Sequence, residues 1–344
     1  MKSPKAVSAS ANSDFKVTLI TGGVGGAKLA EGLAAILPPE RLSIIGNIGD
    51  DDEFHGLWVS PDIDTLTYTL AGLVNRQTGW GLAGDTFQTL KELTTLGEDT
   101  WMQLGDRDLA THIYRTAQRQ QGRDPTDIAQ AIAKRLGVKH PILLPTSQNV
   151  QTRIQTAQGW LSMQEYFVRE RCKPKPLAFE YTGSETATAN PAALAAIKNA
   201  DVLIFAPSNP VLSIAPTLAI AEIRQAIQQS QAYRLAVAPL VDGKAIKGPT
   251  CAALQTNGYS ADLCGITQFY SSLIDALVID QQDHAQVPLL SRTGLDIHTQ
   301  NILMSDRKSR IAVARELLQT LSAPLDQPSA SLAQRQEATH DSAA

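Results

Sequence analysis

The chain has 344 residues, 43% of them hydrophobic, with a formal charge of −4 and three cysteines that show no C-x-x-C spacing. That is enough chain for a sizeable core in one large or two modest domains, and the mild acidity argues against nucleic acid or an anionic membrane as partner. No stretch reaches the ~20 apolar residues of a membrane span, the first residues lack the apolar core of a secretory signal, and Cys172, Cys251 and Cys264 read as reduced packing thiols of a cytoplasmic protein.

Residues 1–14 read as a disordered leader, and 323–344, rich in Ser, Ala and Gln, as a disordered tail. Between them, 15–322 reads as one α/β domain. Residues 17–20 predict a short buried strand, followed by Gly22, Gly23, Gly25 and Gly26. Lys28 then opens a predicted helix with Leu29, Leu33, Ile36 and Leu37 on one face. Strand, glycines and helix in that order aim bare N–H groups and a helix N-terminus at an anion. Glycine is expected there because a Cβ would block a phosphate and because such turns often need φ > 0. The pattern is neither Walker A, since Leu29 follows the lysine, nor a full dinucleotide fingerprint, since Lys28 stands at the third glycine. A tight turn without ligand is the plainer alternative.

Residues 42–46 return as a second strand, and a connection of this length suits a βαβ unit with parallel strands. Ligands of such sheets lie beyond the carboxyl ends of the strands, so the loop 47–65 should open onto the same edge as the glycines. It carries Asp50, Asp51, Asp52, Glu53, Asp62 and Asp64, with Phe54, Leu57, Trp58 and Val59 between them. A solvated acidic face is one explanation. The other is chemical: carboxylates beside a phosphate repel it unless a hard cation intervenes. Mg²⁺ takes one or two carboxylates plus phosphate oxygens, and one aspartate can instead accept a proton from an attacking hydroxyl. The residues leave open which of Asp50, Asp62 and Asp64 does which.

From about 65 to 137 the spacing predicts helices, with pieces at 86–96, 109–119 and 125–136, as a cap over the nucleotide site. Within this block LGDRDLATH at 104–112 gathers Asp106, Arg107, Asp108 and His112, which suits a helix cap with surface pairing as well as a site. Residues 151–156, 162–168 and 177–182 predict a small antiparallel excursion. The parallel theme resumes with a helix at 190–199, a continuously apolar strand at 201–206, the turn PSNP at 207–210 and a helix over about 213–228. Ser208 and Asn209 either bond a nucleotide or make a plain turn. Strands at 235–239 and 277–280 and a helix at 305–321 complete a Rossmann-like, mostly parallel sheet flanked by helices.

Taken together and in order, TGGVGGAKL at 21–29, N-x-x-D-D at 47–51, SPDIDT at 60–65, W-G-x-x-x-D-T-F at 80–87, LGDRDLATH at 104–112, PSNP at 207–210 and KGP at 247–249 make the chain similar to the CofD family. These are 2-phospho-L-lactate transferases of deazaflavin coenzyme F(420) biosynthesis. The resemblance implies a lactyl- or enolpyruvyl-diphosphoguanosine donor and an acceptor hydroxyl on 7,8-didemethyl-8-hydroxy-5-deazariboflavin. It also implies GMP as leaving group, Mg²⁺ as cofactor and a homodimer. Carried over by position, it implies nucleotide contacts at Thr21, Gly22, Gly23, Gly25, Gly26, Lys28, Asn47, Ser208 and Asn209. Asp64, Gln103, Asp106 and His112 would face the deazaflavin, Asp64 and Asp62 would be catalytic, and Asp50 and Asp62 would hold the metal. Gln103 departs from a position that is often basic in the family. A more distant resemblance is to the YvcK-like nucleotide-sugar-binding regulators, whose pattern differs at SPDIDT and LGDRD. A dehydrogenase reading is set aside because Asn47, not an acid, follows the second strand.

Overall fold

The computed structural model describes residues 15–245 and 248–321. The expected leader and tail, and Lys247 of the KGP motif, lie outside the described residues. Strand β1 (Val17–Thr21) is buried at all five positions. It runs into α1 (Gly23–Ala34), and the chain returns as β2 (Leu42–Gly46). A hairpin follows, β3 (Asp52–Phe54) and β4 (Leu57–Val59), closed by His55 and Gly56 at φ 51° and 73°. Two successive positive φ values give the tight turn whose twist matches that of its strands. Helices α2 (Pro61–Leu70), α3 (Gln88–Thr95), α4 (Asp106–Gln120) and α5 (Pro125–Arg135) precede a short strand, β5 (Ile142–Leu143). Strands β6 (Gln151–Thr156), β7 (Gly159–Ser162) and β8 (Ala178–Thr182) form the expected antiparallel sheet, with β6 in the middle. Then come α6 (Pro191–Lys198), β9 (Val202–Phe205), α7 (Ala215–Leu218), α8 (Ala221–Gln229) and β10 (Tyr233–Val237). The chain continues through the hairpin β11 (Leu240–Val241) and β12 (Lys244–Ala245) to α9 (Thr250–Thr256) and α10 (Leu263–Tyr270). It closes with β13 (Ala276–Asp280), α11 (Val287–Leu290), β14 (Asp296–Gln300) and α12 (Arg307–Thr320).

Seven strands form the main sheet in the order β14-β13-β10-β9-β1-β2-β5, and every pairing is parallel. Strands buried on both faces need unbroken apolar runs, and β9 and β13 are buried at every position. From β1 the chain builds outward through β2 to β5, and from β9 it builds the other way through β10 and β13 to β14. Where the order reverses, successive crossovers diverge and leave a crevice beyond the strand ends. Here that crevice lies past Thr21 of β1 and Phe205 of β9, where the glycines and the PSNP turn emerge.

Several expectations are corrected. Helix α1 begins at Gly23, five residues before Lys28, and ends at Ala34, so Gly25 and Gly26 are helical while Ile36 and Leu37 lie beyond it. The stretch 47–65 is a hairpin followed by the first turn of α2, which carries Asp62 and Asp64. The β-prone run 162–168 is strand only at Ser162, and Glu165–Arg169 is a π-helical turn. The reason is local: the Ser162 N–H donates to Glu165 Oε2 at 2.8 Å while Ser162 Oγ accepts from the Glu165 N–H at 3.3 Å. That reciprocal capping starts a helix and ends the strand. The helix expected over 213–228 is broken into the turn Pro210–Ile214, α7 and α8. Asn209 caps the turn and Pro216 removes a donor from the ladder. Helices α9 and α10 and strand β14 are elements that the sequence patterns did not single out.

Candidate active site

The two turns at the switch point are tied by one side chain. Ser208 Oγ donates to the Gly22 carbonyl at 2.6 Å and accepts from the Gly22 N–H at 3.3 Å. The hydroxyl is therefore committed to the protein. The glycines also serve the protein first. A Cβ at Gly22 would stand 2.6 Å from Asp62 Oδ2, one at Gly25 would stand 2.6 Å from the Pro207 carbonyl oxygen, and one at Gly26 would overlap Thr21 Oγ1. Gly23 needs glycine for its φ of +66°. Close approach of helix, strand end and turn thus demands these residues before any ligand is considered. Asn209 Oδ1 accepts from the Val211 and Leu212 N–H groups at 3.0 and 3.1 Å. That fixes the amide, whose buried Nδ2 has no hydrogen-bond partner among the described residues. It is a donor without an acceptor, as an anion or nucleotide site requires.

Beneath these turns lies a carboxylate pair. Asn47, fully buried at the end of β2, donates from one Nδ2 to Asp50 Oδ1 at 2.8 Å and to Asp62 Oδ2 at 2.9 Å, and its Oδ1 accepts from the Gly49 N–H. Both hydrogens of the amide are used, so Asn47 acts under the acids rather than on a nucleotide. The Gly23 N–H also bonds Asp62, placing a carboxylate at the positive end of α1. Burial, and then the charge of Asp62, push the Asp50 carboxyl well above the usual range; burial raises the Asp62 carboxyl too, against bonds from Asn47 and Gly23. Two buried carboxylates sharing one neutral amide are short of positive charge. A proton or a divalent cation relieves that deficit, and an all-oxygen pair suits Mg²⁺. Asp51 next door is pushed by burial to about 7, against bonds from Ser60 and Trp58.

Asp64, two residues along the first turn of α2, lives in a different electrostatic setting. Its Oδ1 is held by Arg115 Nη2, and its buried Oδ2 has no hydrogen-bond partner among the described residues. Arg115 Nη1 lies 3.1 Å from His112 Nδ1, and His112 Nε2 lies 3.4 Å from Asp108 Oδ2. The Tyr68 hydroxyl donates to Asp108 Oδ1 at 2.6 Å. Burial raises the Asp108 carboxyl, but bonding and charge from His112, Tyr68 and Arg115 outweigh it, and the group is held below the ordinary range. Ligand atoms of Asp64, Asp108 and His112 come within 4.8 Å of one another. The cation that serves this trio is Arg115 itself.

A cavity of about 740 Å³ opens beside these groups, a size typical of ligand sites. Gly22, Gly23, Gly25, Lys28, Ser208 and Asn209 line it, as do Asp50, Asp62, Asp64, Asp108 and His112. So do Gly248 and Pro249 of the KGP motif. Trp80, Trp101, Met102, Met163 and Phe167 add an aromatic and thioether surface. Trp101 is braced by an edge-to-face contact with Phe54 at 5.4 Å between ring centres. Gln103 lines the cavity, with its Nε2 donating to the Thr100 carbonyl at 3.1 Å. Thr21 Oγ1 and Gly26 are buried and lie outside the lining residues, as does Asn47.

Asp106, expected beside an acceptor, is placed elsewhere. Its carboxylate accepts from the Thr86 hydroxyl and from the Thr89 and Gln88 N–H groups at 2.9 and 3.0 Å, which hold its pKa below the usual carboxylate range. It caps the start of α3, and the acid of LGDRD that reaches the cavity is Asp108. Arg115, Tyr68, Trp101 and Phe167 were not singled out from the sequence, and Asp108 and Trp80 were noted only within their motifs, with no role of their own. The positions 108, 112 and 115 do carry a legible signal, an i, i+4, i+7 stripe along one helix face.

Comparisons with known proteins agree with this geometry. A family model described as 2-phospho-L-lactate transferase CofD matches residues 17–317. The chain is 36% identical over 272 residues to a 2-phospho-L-lactate transferase of Methanospirillum hungatei, covering 79% of this chain and 91% of that one. It is 34% identical over 314 residues to a phosphoenolpyruvate transferase of Streptomyces griseus, covering 89% and 98%. A solved structure of a upf0052-family protein from Bacillus halodurans has a TM-score of 0.56 over 88% of this chain and 98% of that one, at 16% identity. That last likeness is one of fold alone.

Proposed function

The chain belongs to the CofD family, and from that premise we propose that it transfers a phospho-lactyl or phospho-enolpyruvyl group from a diphosphoguanosine donor to a deazaflavin. The acceptor is the terminal ribityl hydroxyl of 7,8-didemethyl-8-hydroxy-5-deazariboflavin, GMP is released, and the reaction belongs to coenzyme F(420) biosynthesis. This is a transferase of substituted phosphate groups, the EC 2.7.8 type. One observation carries the reading: the glycine turn, the PSNP turn and the acids Asp50, Asp62 and Asp64 all open into one cavity with an aromatic wall.

Transfer of this kind asks for positioning and charge stabilisation rather than a covalent intermediate. The start of α1, Lys28 and the bare Asn209 Nδ2 hold the guanosine diphosphate portion. Asp50 and Asp62 hold Mg²⁺, which when bound neutralises charge on the diphosphate. Trp80, Trp101 and Phe167 give a flat heteroaromatic acceptor an aromatic wall to pack against. The acceptor oxygen attacks the phosphorus that carries the three-carbon acid, its proton passes to the Asp64 carboxylate, and the electron pair of the broken P–O bond leaves with GMP. Asp64 suits that role because Arg115 occupies only one of its oxygens. Asp62, with Asn47 and Gly23 already upon it, suits the metal better.

The YvcK-like alternative, binding without turnover, is not favoured by the family match or by the transferase names of the relatives. Purified protein incubated with donor, deazaflavin and Mg²⁺ should release GMP, stop on addition of EDTA and resume with excess Mg²⁺. Protein that binds GDP yet releases no GMP under these conditions overturns the proposal. Asp64→Asn should bind GDP as wild type does and lose most turnover. The same reading carries a cytoplasmic homodimer, which sedimentation of the purified protein checks.

A further inference from the structure

We propose that Arg115 is a positioning residue for the transfer, fixing the Asp64 carboxylate at the wall of the cavity for the acceptor hydroxyl. The inference rests on the reading of Asp64 given above. Arg115 is 5% exposed and lies outside the residues that line the cavity, so it touches neither substrate. Its guanidinium joins three elements. Nη2 holds Asp64 Oδ1 from α2, Nη1 lies 3.1 Å from His112 Nδ1 on its own helix, and Nη1 donates to the Trp58 carbonyl of β4 at 3.4 Å.

A guanidinium is a planar fork whose donors keep fixed angles to one another, unlike a lysine ammonium. Anchored on Trp58 and His112, the fork leaves Asp64 Oδ1 one position to occupy. Oδ2 then follows from the carboxylate geometry, and it is buried with no hydrogen-bond partner among the described residues. The same guanidinium meets His112 Nδ1 at 3.1 Å, where arginine can only donate, and His112 Nε2 lies 3.4 Å from Asp108 Oδ2.

The test is a double-mutant cycle on turnover. Wild type, Arg115→Lys, Asp64→Asn and Asp64→Asn/Arg115→Lys are compared for kcat, for KM of both substrates and for GDP affinity. Arg115→Lys should lower kcat by about 10²-fold, the cost of roughly an ångström of misplacement, with GDP affinity and donor KM unchanged. The double variant should be no slower than Asp64→Asn alone, because a residue acting through Asp64 has nothing left to position. Losses that multiply in the double variant, or a kcat of Arg115→Lys within twofold of wild type, overturn the inference. If Arg115→Lys does not fold, Asp64→Asn/Arg115→Gln carries no unpaired charge and is compared with Asp64→Asn. Equal kcat supports positioning and a further loss overturns it. A wild type without turnover sinks the functional reading itself, a result distinct from either.

Discussion

Gly25→Ala tests whether the glycines are set by close packing at the switch point. The new Cβ would stand 2.6 Å from the Pro207 carbonyl oxygen, a deficit of about 0.8 Å against the 3.4 Å at which ordinary contact begins. Both partners are backbone, so neither can rotate away, and the start of α1 and the PSNP turn must separate. Overpacking of this kind costs about 1–3 kcal/mol, and alanine returns up to about 1 kcal/mol as a better helix former than glycine. The clash outweighs that return over most of the range, leaving a net loss of about 0–3 kcal/mol and a melting temperature lower by a few degrees. The larger effect falls on the site. A shift of about 0.8 Å between the two turns that hold the diphosphate should weaken GDP by about 10–100-fold. Calorimetric titration with GDP, beside a thermal melt, reads both quantities. Gly122→Ala is the control: its φ is +75° with nothing within 4 Å of the new Cβ, so it strains the chain without a clash. It should lose stability and keep GDP affinity. Wild-type GDP affinity in Gly25→Ala would refute the packing argument.

The remaining predictions are shorter. Asp106→Ala should lower the melting temperature by uncapping α3 and leave acceptor KM within twofold; a tenfold rise in KM at unchanged stability would return Asp106 to the site. Asp275→Ala strands Arg234, which is 1% exposed and bonded to Asp275 through Nε at 3.2 Å and Nη2 at 3.1 Å. Unfolding in urea should show a loss of about 3–5 kcal/mol, and a loss below 1 kcal/mol would mean the guanidinium finds another partner. Burial holds the His298 imidazole below its ordinary value. The unfolded chain therefore gains a proton near pH ~6.5 that the folded chain declines, so stability is full above that pH and falls as pH drops through it toward the folded value. His298→Gln should flatten the fall between pH 7.5 and 5.5, and identical slopes in variant and wild type would remove His298 as its source.

The strand–glycine–helix opening and the buried run at Val202–Phe205 were readable because each is local: burial on both faces demands an unbroken apolar run, and a switch point demands small residues where elements meet. The end of the second strand at Gly46 is readable for the same reason. Tertiary structure alone decided what the site residues do. Asp64 meets Arg115 across 51 positions, and Asn47 meets Asp62 across 15. No periodicity links such pairs, because the pairing is made by how α2, α4 and the end of β2 pack. Asp106 and Asp108 differ by two places in one motif, yet helix rotation sends the first to cap α3 and the second into the cavity. The composition of the motif names the acids; only the folded helix sorts them.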